Sequence, residues 1–105
     1  MKEIDMRGQK EYKTEAINEF FEAVLSLKSI EECYDFFIDV CTIKELIVIA
    51  QRYEVAKLLL DEKSYIEISK KSGASSATIS RVNRSLSYGN GGYQMAIERT
   101  KEQKK

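Results

Sequence analysis

The 105-residue chain contains no histidine and no proline, and it has only two cysteines. Histidine is the commonest general base and the commonest metal ligand, and a zinc site needs four ligands. The composition therefore predicts neither an enzyme nor a metal protein, and no motif indicates a cofactor. Cys33 and Cys41 would stand roughly 12 Å apart along one helix, too far for a disulfide, so we interpret them as small apolar residues with free thiols.

The chain also lacks a long hydrophobic run. No apolar stretch approaches the ~20 residues that a membrane span needs, and the first ten residues do not have the pattern of a signal peptide. Free thiols are typical of a reducing compartment. These features predict a cytoplasmic protein without a membrane partner.

Net charge is zero, but the charges are unevenly distributed. Residues 1–62 carry 8 basic and 14 acidic side chains, whereas residues 63–105 carry 9 basic and 3 acidic ones. The net charges of the two parts are thus −6 and +6. This asymmetry is typical of an acidic body with a basic end that binds a polyanion. Alternatively, the charges are simply distributed unevenly over a solvated surface and have no functional role.

The absence of proline and the late position of the glycines indicate long helices. Residues 1–9 show no periodicity and are expected to form a loose arm, and a helical pattern runs from about Lys10 to Leu27. Three later helix starts place a hydroxyl residue three positions before a glutamate, as in a capping box. They predict helices at 30–41, 43–61 and 65–72, with the boxes Ser29–Glu32, Thr42–Glu45 and Ser64–Glu67.

The helix after Thr42 contains five consecutive apolar residues, 46–50, which cover its whole circumference. Such a run also suits a strand, but the capping box and the length favour a helix. A helix that is apolar all round must be enclosed. A chain of this length has too few other helices to enclose it, so we expect a second subunit to do so. Residues 10–61 are thus predicted to be the dimerisation core of a single domain, 1–105.

Residues 64–87 have the features of a helix-turn-helix, which joins two helices by a tight turn. Gly73 is expected to end the first helix in the left-handed conformation. Ser69 is the small residue expected where the second helix crosses the first. Ile68 is predicted to face the core on the first helix. The inner face of the second, 76–87, is predicted to consist of Ile79, Val82 and Leu86.

The opposite face of that second helix offers small, hydroxyl and guanidinium side chains, without any acid. Small residues let a helix approach the floor of the major groove, and arginine pairs with guanine or with phosphate. Lysines on and before the preceding helix would contact phosphates. The predicted DNA-binding residues are Lys63, Lys70, Lys71, Ser75, Ser76, Ala77, Thr78, Ser80, Arg81 and Arg84.

Residues 88–105 are expected to form a loop and a C-terminal helix or tail. Glycines at 89, 91 and 92 predict positive-φ or flexible backbone. The segment lacks the preceding strand and the Gly-Lys-Ser/Thr end of a nucleotide-binding loop. We therefore expect a short final helix within 94–105 whose basic end frays.

The stretches CTIKEL (41–46), AQRYEVAKLLL (50–60) and SGASSATISRVNRSLSYGNGGY (72–93) resemble the tryptophan repressor superfamily, and in particular its YerC/YecD-type branch. The resemblance implies an all-α fold. It further implies an intertwined homodimer of helical bundles, in which two helix-turn-helix heads contact successive major grooves of double-stranded DNA. It also implies a role in transcriptional regulation.

The resemblance does not carry over the tryptophan co-repressor. In the repressor the indole lies between two arginines, beside a glycine that follows the second. Arg52 and Arg81 match those arginines, the first only with a one-residue shift, and Ser85 stands near the amino group in this possible effector pocket. Val82 replaces the glycine, and its branched side chain would fill the place of the ring. We expect weak or no tryptophan binding.

These observations predict a sequence-specific, repressor-like DNA-binding regulator that acts as a dimer. The alternative is a helical protein-interaction module that uses the helix-turn-helix scaffold without DNA, its acidic part serving a basic partner.

Overall fold

The computed structural model describes residues 11–104, which form six α-helices and no strands. The all-α prediction is thus confirmed for this part of the chain. Within these residues no helix combines the length and the hydrophobicity that a membrane span requires. The helices are α1 (Glu15–Leu25), α2 (Ile30–Val40), α3 (Ile43–Leu60), α4 (Tyr65–Ser72), α5 (Ser76–Tyr88) and α6 (Gly92–Gln103).

Two of the three predicted capping boxes form completely. At the start of α3, the Glu45 N–H donates to Thr42 Oγ1 at 3.0 Å and the Thr42 N–H donates to the Glu45 carboxylate at 2.8 Å. Ser64 and Glu67 exchange the corresponding bonds at the start of α4, at 3.2 and 3.3 Å. These bonds satisfy backbone donors that have no partner within the helix, which explains why α3 and α4 begin where the sequence predicted.

The third box is only half formed. The Glu32 N–H donates to Ser29 Oγ at 3.1 Å, as expected. The Glu32 carboxylate, however, accepts a hydrogen bond from the N–H of Lys28 at 2.8 Å rather than from that of Ser29. The glutamate therefore stabilises the approach to α2 one residue earlier than the motif predicts.

The predicted start of α1 was wrong. The helix begins at Glu15, because Thr14 is its N-cap and accepts a hydrogen bond from the Ile17 N–H at 3.2 Å. Residues 11–14 are turn and coil. Lys10 and the arm predicted over 1–9 lie outside the described residues. At the other end of the chain, α6 begins two residues before the predicted 94.

The contacts divide the chain into two compact units, Met1–Val40 and Cys41–Lys105. In the first unit, an aromatic cluster joins α1 to α2, with the rings of Phe20 and Phe36 stacked at 5.8 Å and those of Phe36 and Phe37 edge to face at 5.4 Å. No residue of α1 or α2 is buried. The apolar face of α1 remains open, since Phe21 and Leu25 are 56% and 84% exposed.

The second unit holds the hydrophobic core, formed where α3 packs against α4, α5 and α6. Its buried residues are Val55, Ala56, Ile68, Ala74, Ile79, Val82 and Ile97. Only the second half of α3 contributes to it. In the first half, Ile43 and Ile47 are 63% and 61% exposed. The enclosure expected for the apolar run 46–50 is therefore absent from the single chain within residues 11–104.

Candidate nucleic-acid interface

α4 and α5 are joined by the tight turn that the sequence predicted. Gly73 follows α4 with φ +74°, the left-handed conformation that glycine adopts without a steric penalty. Its N–H donates to the carbonyl oxygen of Ser69 at 2.8 Å and closes the helix. Ser75 then caps α5, so only three residues separate the two helices.

A small hydrogen-bond network supports this turn. The Ser72 hydroxyl donates to the Ile68 carbonyl oxygen at 2.6 Å and accepts from the Ala74 N–H at 3.1 Å. The side-chain amide of Gln51, on α3, donates to the Ser72 carbonyl oxygen at 3.1 Å. Sequence reasoning missed Gln51, because a bond between residues 21 positions apart leaves no local signal.

The inner face of α5 is anchored as predicted. Ile79 is 0% exposed and Val82 is 1% exposed, and the half-buried Leu86 packs against the same core. Ile68 anchors α4 in the same way. The prediction for Ser69 was wrong, because this residue is exposed. The buried small residue between the two helices is Ala74, whose methyl group contributes to the core.

The opposite face of α5 is open to solvent. The exposed residues on this face and on the last turn of α4 are Lys70, Lys71, Ser76, Ala77, Ser80, Arg81 and Arg84. We call these seven exposed residues the outer face. Lys63 and Thr78, which were predicted with them, are half-buried. The outer face combines short side chains near the start of α5 with two guanidinium groups one turn apart.

Ser75 is exposed, but its hydroxyl is engaged. It accepts a hydrogen bond from the Thr78 N–H at 3.2 Å and donates to Thr78 Oγ1, also at 3.2 Å. Ser75 thus stabilises the first turn of α5 as an N-cap. The hydroxyls of Ser76 and Ser80 lie on the exposed part of the same helix.

The electrostatics of this part of the chain favour an anion. From residue 68 to residue 97 there is no acidic side chain, whereas Lys70, Lys71, Arg81 and Arg84 are all basic. The preceding acid, Glu67, has a pKa below its ordinary value, first because it accepts hydrogen bonds from the Ser64 backbone and hydroxyl. Its charge is thus held in the cap at the far end of α4 from the turn.

Of the three residues predicted as an effector pocket, one lines a groove in the second unit. Ser85 lines an open groove of about 470 Å³ together with Tyr53, Gly89, Asn90, Gly92, Tyr93 and Ala96. Neither Arg52 nor Arg81 lines this groove. Arg52 is half-buried on α3, and Arg81 is exposed on α5.

Comparison with known proteins finds the same fold elsewhere. Residues 15–101 match the family model described as Trp repressor protein. The uncharacterized protein YerC of Bacillus subtilis is 52% identical over 86 residues, which cover 82% of this chain and 83% of YerC.

Two crystal structures agree along most of their length. A TrpR-like protein from Eubacterium eligens is 54% identical with a TM-score of 0.85, over 88% of this chain and 95% of that one. A candidate Trp repressor from Staphylococcus aureus is 46% identical with a TM-score of 0.84, over 89% and 94% of the two chains.

Proposed function

Because this chain belongs to the Trp repressor protein family, we propose that it is a sequence-specific DNA-binding regulator of transcription. It acts as a homodimer on double-stranded DNA, and in each subunit α5 enters the major groove. A regulator of this kind works where the bacterial chromosome is, in the cytoplasm.

The observation that carries the proposal is the two-sided character of α5. On one side of α5 the aliphatic side chains are buried in the core. On the other side hydroxyl and guanidinium groups are exposed, and there is no acidic residue. A helix held in this way can approach the bases while its own packing stays intact. Arg84 is proposed to contact a guanine edge, Arg81 a guanine edge or a phosphate, and Lys70 and Lys71 to contact phosphates. Ser76 and Ser80 would bind base edges or phosphates, and Ala77 leaves room for the groove floor.

Lys63, Ser75 and Thr78 have secondary roles in this proposal. Lys63 is half-buried before α4, where a long side chain would reach a phosphate while its stem packs on the protein. Ser75 and Thr78 bind each other, so they act by ordering the first turn of α5. The N-terminal end of that helix also carries a partial positive charge, which favours a nearby phosphate.

Dimerisation is supported by the apolar surface that one chain leaves open. In the first unit, Leu25 and Ile30 are 84% and 77% exposed. In the second unit, Ile43 and Ile47 on α3 are 63% and 61% exposed. Neighbouring exposed apolar residues on one helix face are typical of an interaction surface, and a second copy of the chain would cover them. Two heads in such a dimer would contact half-sites about one DNA turn, roughly 34–36 Å, apart.

The test is selection of bound sequences from a random double-stranded DNA pool, followed by affinity measurements on the selected sequence at stated salt concentrations. Arg84→Ala is expected to weaken binding about 5- to 150-fold, the loss expected for a good bidentate contact of 1–3 kcal/mol. Arg99→Ala is the matched control, because it removes the same charge from an exposed site on α6. Equal effects of the two variants would contradict the role of the outer face.

The second candidate is a helical protein-interaction module. It is favoured by the exposed acids of α2, where Glu31, Asp35 and Asp39 are open to solvent. A DNA pool in which nothing is enriched, with no affinity above that for random DNA, would favour this module over the regulator.

Tryptophan is not proposed as an effector. The resemblance places the indole beside a glycine, and Val82 occupies that position with its branched side chain buried in the core. The groove beside Ser85 also lacks both arginines. The proposed regulator therefore works without a tryptophan co-repressor.

A further inference from the structure

Glutamine side chains from outside the helix-turn-helix bind the C-terminal ends of both of its helices. Gln51 on α3 donates its amide N–H to the carbonyl oxygen of Ser72, the last residue of α4, at 3.1 Å. Gln94 on α6 donates its amide N–H to the carbonyl oxygen of Leu86, in the last turn of α5, at 2.9 Å. Both side chains are partly buried.

The last four carbonyl groups of a helix have no partner within the helix. Water or local turns usually satisfy them, and neither solution adds a bond to a neighbouring helix. Here a directional bond joins each helix end to a helix beyond the pair. The α4 end is tied to α3, and the α5 end is tied to α6.

We propose that Gln51 and Gln94 are positioning residues, which hold α4 and α5 in the orientation that fits the outer face to a DNA groove. This inference depends on the proposed DNA-binding function. Without these tethers the helix pair would occupy a range of orientations, of which only a fraction is competent to bind. Apparent affinity falls by that fraction, even though every residue that contacts DNA is still present.

The test compares Gln51→Met, Gln94→Met and the control Gln103→Met, which alters an exposed glutamine on α6. Methionine keeps the length and volume of the side chain and removes the N–H donor. Gln51→Glu is a second variant that also lacks the donor but stays polar. For each protein we would measure DNA affinity per folded molecule, its dependence on salt, the melting temperature, and hydrogen exchange of the Gly73, Ala74 and Gly89 amides.

Gln51→Met and Gln94→Met are each expected to bind the selected sequence about 3- to 10-fold more weakly than the wild-type protein. This range corresponds to the loss of one neutral hydrogen bond. The dependence of the DNA affinity on salt should equal that of the wild-type protein, because the phosphate contacts are unchanged. Gln51→Met should accelerate exchange at Gly73 and Ala74, and Gln94→Met should accelerate it at Gly89.

Binding equal to that of Gln103→Met would overturn the inference while leaving the proposed function intact. Wild-type affinity combined with faster hydrogen exchange would also overturn it, because the bonds would then have only a structural role. Wild-type affinity and wild-type exchange rates in Gln51→Glu would overturn it as well. If the unvaried protein itself selects no DNA sequence, the proposed function fails first and the positioning role fails with it.

Discussion

Ile47→Ser is the substitution that tests most sharply whether a second copy covers the first half of α3. Ile47 lies in the run 46–50, and 61% of it is exposed in the single chain. It takes no part in the hydrophobic core, so its replacement should leave the fold of each chain unchanged. In a dimer that encloses α3, the same substitution would remove apolar surface from the interface of both subunits.

The magnitude follows from the exposed fraction. Burying an isoleucine side chain completely contributes about 1.5–3 kcal/mol, so covering the exposed share of Ile47 contributes about 1–2 kcal/mol. Twofold symmetry places the residue in the interface twice and doubles this to about 2–4 kcal/mol. The dimer dissociation constant should therefore rise about 30- to 1000-fold.

Sedimentation equilibrium over a range of protein concentrations measures this constant directly, and circular dichroism checks that the helices persist. Ile66→Ser is the matched control, because Ile66 on α4 is 71% exposed and lies outside the run 46–50. It should leave the constant within about 3-fold of the unvaried value. The reasoning is refuted if Ile47→Ser dimerises like the unvaried protein, or if the unvaried protein is a monomer throughout.

Three further outcomes are expected. Gly73→Ala should lower the free energy of unfolding by about 1–3 kcal/mol in urea titrations. Alanine at φ +74° is strained, although its Cβ would meet nothing closer than 3.9 Å; an unchanged urea midpoint would contradict this. Glu45 and Glu67 have pKa values below 4.5 in the folded chain because they accept bonds from their capping residues, Thr42 and Ser64. The stability that the two carboxylates contribute is present above pH 4.5 and is lost as the pH falls through the lowered pKa values. The Glu45→Gln/Glu67→Gln double variant should therefore lose less stability than the wild-type protein between about pH 6 and about pH 3. Calorimetric titration with tryptophan should give no heat of binding, and a micromolar dissociation constant would contradict the argument from Val82.

Local signals in the sequence predicted much of the second unit. The boxes at Thr42 and Ser64, the glycine at 73 and the apolar spacing of Ile79 and Val82 act within one or two turns of a helix. Neighbouring residues therefore suffice to indicate where α3, α4 and α5 begin and which side of α5 is buried. The exposed outer face follows from the same spacing.

Sequence reasoning missed two kinds of feature: contacts that only the tertiary fold creates, and cases in which a side chain chooses between neighbouring hydrogen-bond partners. The amides of Gln51 and Gln94 bind backbone groups that only the fold brings near. Glu32 had two adjacent N–H groups within reach, and it binds that of Lys28. The apolar spacing of α1 starts only at Ala16, and the prediction that placed the helix start at about Lys10 overlooked Thr14 as a cap. Ala74 rather than Ser69 is buried, because the crossing of α4 and α5 depends on the turn geometry.

Interference by 7-deazapurines tests most directly whether α5 binds in the major groove. This substitution removes the N7 acceptor, which purines present only in that groove. The account predicts that deaza-substitution weakens binding in two clusters about 10–10.5 base pairs apart, and that Arg84→Ala abolishes the effect at one purine in each cluster. Uniform binding to all substituted DNAs, or interference that Arg84→Ala leaves unchanged, would contradict it.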